Sequence, residues 1–210
     1  MIDLENYQEY DEYRSSDLCV QVYDHYISEI TSKVLFKTLF NQGNWVRPHI
    51  TEKGEWSKRR NKIIYADDGL DGYTINYRGE EIKSCTNPWS DMSMLDELRD
   101  LVSQTAGGQY YHSGVVQLYN SGHVGIQPHK DKEVSKNSII ASVSLGIRRI
   151  MVFSRDGYPD IEIPLENGCL CLIVPPTNNF WLHSIPTNPS IKAKRMSIVF
   201  RHSLNFDIKT

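Results

Sequence analysis

From Gly114 onward the apolar residues fall in short runs: VVQLY, IIASVSLG, RRIMVFS, DIEIPL, CLCLIV and RMSIVF. Turn-forming stretches, NSG, SRDGYP, ENG and PPTNN, separate most of them. Runs of this kind predict the short strands of a β-sandwich or closed barrel rather than a βαβ repeat. The first half of the chain has a different rhythm. Over residues 22–41, Tyr26, Ile30, Leu35, Leu39 and Phe40 recur near helical spacing, and Gly43 ends the run, which predicts a helix. A second helix is predicted from about Asp91 to Gln104, with Leu95, Leu98 and Val102 on one side and Gly107-Gly108 closing it. Between the helices, KIIYA and GYTINYR read as strands joined by the turn-rich DDGLDG. The picture is two N-terminal helices supporting an antiparallel double sheet.

Length and composition narrow this only slightly. The chain has 210 residues, with 40% hydrophobic, 23% charged and 10% aromatic positions, an ordinary globular balance that argues against collagen-like, disordered or coiled-coil chains. One compact domain is expected, divided into 1–17, 18–112 and a core over 113–210. The first seventeen residues hold Asp3, Glu5, Glu9, Asp11, Glu12 and Asp17 against Arg14 alone, and predict a mobile or loosely docked tail. That acidic start is unlike a secretory leader, and no apolar run is long enough to span a bilayer, so no membrane partner is expected. The four cysteines form no CxxC pair, and Cys169 and Cys171 sit in an apolar strand as small hydrophobes. A reducing compartment, cytoplasm or nucleus, is expected, and a monomer. A net charge of −3 neither demands nor excludes a polyanionic partner. The run from Trp45 to Lys62, however, interleaves Arg47, Lys53, Lys58, Arg59, Arg60 and Lys62 with Trp45 and Trp56, a composition able to grip phosphates.

Three segments carry candidate chemistry: HKDKE at 129–133, WLHSIP at 181–186 and RMSIVFR at 195–201. His129 and Asp131 are two apart, so on an extended chain both project to one side and can hold one metal. His183, expected just past a strand, supplies a third ligand. Two imidazoles and a carboxylate on one face, with open positions opposite, describe the facial triad of non-haem Fe(II) oxygenases. By itself a His-x-Asp pair is often a solvated loop, and seven histidines offer accidental triads. The third segment changes the balance. Arg195, Ser197, Val199 and Arg201 alternate with Met196, Ile198 and Phe200, so both arginines share a face. In a double sheet that face is interior, where a guanidinium needs an anion, and a dicarboxylate fits its planar fork.

The order His129-x-Asp131, His183, Arg195, Arg201 resembles the AlkB family of Fe(II)- and 2-oxoglutarate-dependent oxygenases. The likeness runs from about Trp45 to His202 and is strongest from Gln117 onward. The family's closing R-x-N-x-x-F-R stands here as RMSIVFR, with Ser197 where Asn is usual, and its N-x-Y as Gln117-Leu118-Tyr119. ASVSLG, PTNNFWLHSIP and IIYADDGLDGYTINYRG resemble the nucleic-acid repair members. The resemblance implies a mostly β fold with flanking helices, its core a double-stranded β-helix (jelly roll) of two antiparallel sheets with the N-terminal helices packed on one of them. It implies that His129, Asp131 and His183 bind Fe(II), that Arg195 clamps the distal carboxylate of 2-oxoglutarate with help from Tyr119, and that Arg201 buttresses the site. Gln117 and Ser197 would tune cosubstrate contacts. With O2, such a site decarboxylates 2-oxoglutarate to succinate and CO2 and hydroxylates a substrate C–H bond; on an N-methyl group, formaldehyde leaves.

The substrate implied is alkylated DNA or RNA. Glu133 would face a positively charged alkylated base, Tyr65 would stack on it or hydrogen-bond to it, and Arg59, Arg60 and Lys62 would hold phosphates. Two other readings use the same residues: the same iron chemistry on a protein side chain, a small molecule or a 5-methylpyrimidine, and a non-catalytic nucleic-acid-binding domain.

Overall fold

A computed structural model describes residues 2–5, 9–42, 45, 61–67, 73–77, 80–84, 86–132 and 134–202. Its strands are β1 (Asp11–Ser15), β2 (Leu18–Tyr23), β3 (Asn61–Ala66), β4 (Tyr73–Tyr77), β5 (Glu80–Ser84), β6 (Asn87–Pro88), β7 (Ser113–Tyr119), β8 (Ile126–His129), β9 (Ile140–Gly146), β10 (Arg149–Ser154), β11 (Ile161–Leu165), β12 (Leu170–Val174), β13 (Leu182–Ile185) and β14 (Arg195–Arg201). The helices are α1 (Glu29–Asn41), α2 (Ser93–Thr105) and the single turn α3 (Thr177–Phe180). A large sheet runs β1-β2-β12-β9-β14-β7-β3-β6, a smaller one β11-β10-β13-β8, and β4 and β5 form a separate ribbon. Apart from the parallel β3–β6 pair at one edge, both sheets are antiparallel, and with crossover connections and helices on one side they form the jelly-roll arrangement implied above. Among the described residues, no helix is long and apolar enough to cross a membrane.

Strand alternation sorts the side chains of the large sheet into two cores. On β14, Met196, Ile198 and Phe200 enter the core beneath the helices, with Leu35 and Leu39 of α1 and Leu95, Leu98 and Val102 of α2. The other face meets the small sheet, where Tyr119, Ile140, Cys171, Ile173, Met151, Phe153 and Ile185 form the second core. Cys169 and Cys171 are fully buried there as free thiols. Burial pushes the Cys169 thiol up to about 12, which keeps it neutral and unreactive.

Several expectations need correction. Residues 22–41 are not one helix. The segment begins as β2, paired to β1 on one side and β12 on the other, and His25 has φ 55, outside helical space. The helix starts only after Ser28, whose hydroxyl accepts from the Thr31 N–H at 3.2 Å as an N-cap. Its buried face is Thr31, Ser32, Leu35 and Leu39, while Ile30 is 77% exposed. The acidic start is not a loose tail either. Strand β1 pairs residue for residue with β2, Leu4 bridges Ile27, Ile2 is buried, and Asp17 bonds Arg155 at 2.6 Å. Residues 18–112 are more than a helical support, because β2, β3 and β6 are strands of the large sheet itself. His183 lies within β13 rather than past a strand.

Candidate metal centre

The small sheet brings the two imidazoles together. His183 on β13 stands directly opposite His129, the last residue of β8, and their ring centroids are 4.3 Å apart. Two residues on, past the strand end, Asp131 turns its carboxylate to the same place: Oδ1 is 3.5 Å from His129 Nε2. One ligand atom from each of His129, Asp131 and His183 lies within 4.8 Å of the others, close enough to hold one metal ion. His129 Nδ1 is 2.9 Å from the Gln127 carbonyl, which can only accept, so Nδ1 carries the proton and Nε2 keeps its lone pair for a metal.

The carboxylate is held from several sides. Arg201 Nη2 donates to Asp131 Oδ1 at 2.9 Å. Asn178 clamps the Asp131 backbone: its amide oxygen accepts the Asp131 N–H at 3.0 Å, and its NH2 donates to the Asp131 carbonyl at 2.8 Å. Burial would push the Asp131 carboxyl up, but Arg201, His129 and His183 outweigh it and hold the group well below the usual carboxylate range. Burial pushes the His183 imidazole down to about 4 against the opposing pull of Asp131. Near neutral pH the site therefore presents one anion and a neutral His183, the protonation states that a divalent metal requires.

Behind the triad, a cleft opens between the two sheets. Arg195 reaches into it from β14, 1% exposed. It stands between Tyr119 on β7 and Gly146 on β9. Its Nη2 donates to Ser144 Oγ at 2.8 Å, and its guanidinium carbon is 4.9 Å from the Tyr119 ring centroid. Nε and Nη1 of Arg195 are buried without a hydrogen-bond partner among the described residues. One row nearer the metal, Gln117, Ser197 and Ser144 lie side by side across three strands. The Tyr119 hydroxyl is 3.4 Å from the Gln117 amide oxygen. The residues fit iron and a dicarboxylate on this evidence: two nitrogens and one oxygen converge on one point, and a buried cation with unused donors waits in the same cleft.

The structure thus brings together His129, Asp131, His183, Gln117, Tyr119, Arg195, Ser197 and Arg201, all of which line the cleft. It does not bring Tyr65 there. Tyr65 is 1% exposed in the helix-side core, stacked on Trp89 at 6.2 Å, and its register partner is Gly114 opposite Phe200. That is the face of the large sheet turned away from the His129, Asp131 and His183 cluster. Lys62, opposite Gln117 on β3, shares the cleft face. Arg59, Arg60 and Glu133 lie outside the described residues. Sequence reasoning missed Asn178 and Ser144 as individual contributors. Both sit in the quoted segments PTNNFWLHSIP and ASVSLG, but their contacts span 47 and 51 residues and leave no local signal.

Two imidazoles and a carboxylate at the mouth of a jelly-roll cleft, backed by a buried guanidinium, define the class of mononuclear facial-triad iron oxygenases. A family model described as the 2OG-Fe(II) oxygenase superfamily matches residues 19–201. The chain belongs to that superfamily. It is 32% identical over 163 residues to human "DNA oxidative demethylase ALKBH2", covering 72% of this chain and 59% of that protein. It is 24% identical over 178 residues to human "Alpha-ketoglutarate-dependent dioxygenase alkB homolog 3", covering 76% of this chain and 61% of that one. The chain thus spans about three fifths of the length of these curated relatives. Among solved structures, one titled "The structure of OsALKBH1" superposes with a TM-score of 0.59 at 11% identity, covering 90% of this chain and all of that one, a likeness of fold.

Proposed function

We propose that this chain oxidatively removes N-alkyl groups from nucleobases in DNA, using Fe(II), 2-oxoglutarate and O2 and releasing formaldehyde, succinate and CO2. One observation carries the reading: the His129, Asp131 and His183 ligand atoms converge within 4.8 Å beside a buried Arg195 whose Nε and Nη1 lack partners. The superfamily match and the demethylase names of the relatives support the choice of reaction.

Iron with 2-oxoglutarate and O2 supplies hydroxylation of an N-methyl carbon, after which the C–N bond breaks to formaldehyde and the bare nitrogen. His129, Asp131 and His183 would hold the iron, and the cosubstrate would approach from the cleft behind them. Asp131 supplies the anionic ligand, and Arg201 and Asn178 fix its oxygens and backbone. Arg195 receives the distal carboxylate of 2-oxoglutarate on its unused donors, with the Tyr119 hydroxyl beside it. Gln117 and Ser197 offer short polar contacts along the cosubstrate in place of the family's usual asparagines. Packed side chains between the sheets exclude water from this end. Lys62 sits on the cleft face of β3, placed for a phosphate; Arg59 and Arg60 would add cations for the same phosphates, and Glu133 would face the positively charged alkylated base. The reading is of a monomer. The target base must leave the stack to reach the site, so single strands or flipped nucleotides are the substrate form.

The test begins without oxygen. Fe(II) and 2-oxoglutarate should give the visible charge-transfer band of the chelate; its absence would favour a non-catalytic binding domain. With oxygen, formaldehyde should be released from N-methylated single-stranded or duplex DNA. Decarboxylation of 2-oxoglutarate without formaldehyde from DNA or RNA would instead mean the same chemistry on another target.

A further inference from the structure

We propose that Arg149 is a positioning residue of the cosubstrate site: it fixes the Tyr119 ring and the two loops that follow β7 and β13, and adds a second buried positive charge beside Arg195. The inference rests on the reading above, in which Arg195 receives the distal carboxylate.

Arg149 opens β10 and is 3% exposed. It does not line the cleft. The two hydrogens of its Nη2 meet two carbonyls, Val124 at 3.1 Å and Pro186 at 2.6 Å. Those carbonyls belong to the segments leaving β7 and β13. The same segments are laced together by Gly122 N–H to Ile191 O and Asn188 N–H to Gly122 O, each 2.8 Å. A Cβ at Gly122 would lie 1.7 Å from the Asn188 carbonyl oxygen, so only glycine permits this approach. The second segment leads directly into Arg195. Arg149 therefore holds the backbone from both sides of the Tyr119–Arg195 pair.

The Tyr119 ring meets both guanidinium groups. Its centroid is 5.7 Å from the Arg149 guanidinium carbon and 4.9 Å from that of Arg195. Among the described residues, neither arginine is paired with a carboxylate, and Arg149 Nη1 is buried without a hydrogen-bond partner. Two unneutralised guanidiniums in one dry region are costly until an anion arrives. A staple between two carbonyls needs donors, not a permanent charge held beside another cation. The charge has a use if the distal carboxylate of 2-oxoglutarate lands within its field.

The experiment uses the full chain loaded with Mn(II) and measures calorimetric affinity for two ligands. One is 2-oxoglutarate; the other is 2-oxobutyrate, which has the same keto-acid end but no distal carboxylate. Arg149→Met should weaken 2-oxoglutarate by about tenfold or more while leaving 2-oxobutyrate unchanged. Arg149→Lys, which keeps the charge and loses the two-carbonyl bridge, should fall between. In turnover, the KM for 2-oxoglutarate should rise while that for the nucleic acid stays fixed. Equal loss for both ligands, or no loss for either, overturns the proposal. Should Arg149→Met fail to fold, the Lys variant carries the same comparison. Arg195→Met separates the two readings. If wild type prefers 2-oxoglutarate and only Arg195→Met abolishes the preference, Arg149 has no such role. If wild type shows no preference, the cosubstrate assignment itself fails and the proposal falls with it.

Discussion

Asp131 is a ligand candidate, an ion-pair partner and a backbone anchor at once, touching His129, Arg201 and Asn178. Asp131→Ala should abolish formaldehyde release, because the anionic ligand is lost; an active variant contradicts the ligand assignment. The same change removes a carboxylate that Arg201 bonds in the interior and should cost about 3 kcal/mol in urea unfolding of the metal-free protein. His183 makes that stability pH-dependent. Its folded value of about 4 lies below the ordinary imidazole value, so the unfolded chain takes up the proton first. Stability of the metal-free protein should therefore fall as pH drops from roughly 6.5 toward that value, and His183→Gln should flatten this window. Asp131, also depressed on folding, loses its contribution only at still lower pH, as the unfolded carboxyl protonates. Tyr65 gives the contrasting case. Tyr65→Phe should leave the KM for nucleic acid unchanged, whereas Tyr65→Ala should cost about 3–5 kcal/mol as a core cavity; a raised KM in the Phe variant would return Tyr65 to the substrate. The misplacement has a physical origin. Strand β3 is buried on both faces from Ile63 to Ala66, so alternation separates Tyr65 from Ile64 without saying which of them faces the cleft.

Among the elements, the β1–β2 hairpin was hardest to anticipate. DEYRS is mostly exposed, and charged residues on an edge strand look like a solvated tail while also protecting the sheet from aggregation. Its strand character comes from backbone pairing with β2, which no side-chain pattern announces. Deleting residues 1–17 should lower the melting temperature by several degrees and promote association through the uncovered β2 edge, seen by scanning fluorimetry and gel filtration. An unchanged melting temperature would show the segment dispensable. Helix α2 and strands β7, β9, β10, β11, β12 and β14 were legible within a residue or two or three, because one-sided helical spacing and turn-bounded apolar runs are local signals. Strands β8 and β13, each four residues long, were not predicted as strands, although the histidines they carry were singled out as candidates. Such short polar-containing strands exist only because they pair in the small sheet.

For the molecule as a whole, the cleft and triad are set by the pairing and packing of two sheets, and ligands that bind only the folded chain should add stability through binding. At a hundredfold excess over Kd, Mn(II) with 2-oxoglutarate should contribute about 2.7 kcal/mol, raising the melting temperature by roughly 5–10 °C. Mn(II) alone should do less, and a chelator should reverse the shift. No shift with either ligand would mean that the triad does not bind metal. The chemistry itself was written into the chain, because each ligand type declares itself by identity: imidazole, carboxylate and guanidinium have few substitutes, and their order along the chain suffices to suggest a shared site. Which faces turn inward was decided only by folding. The two sheets select one face of each doubly buried strand for the cleft, and that selection sent Arg195 inward to the cleft and Tyr65 outward to the helices. It also set Asn178, Ser144 and Arg149 in their supporting places, through contacts between segments that the chain separates and the packing joins.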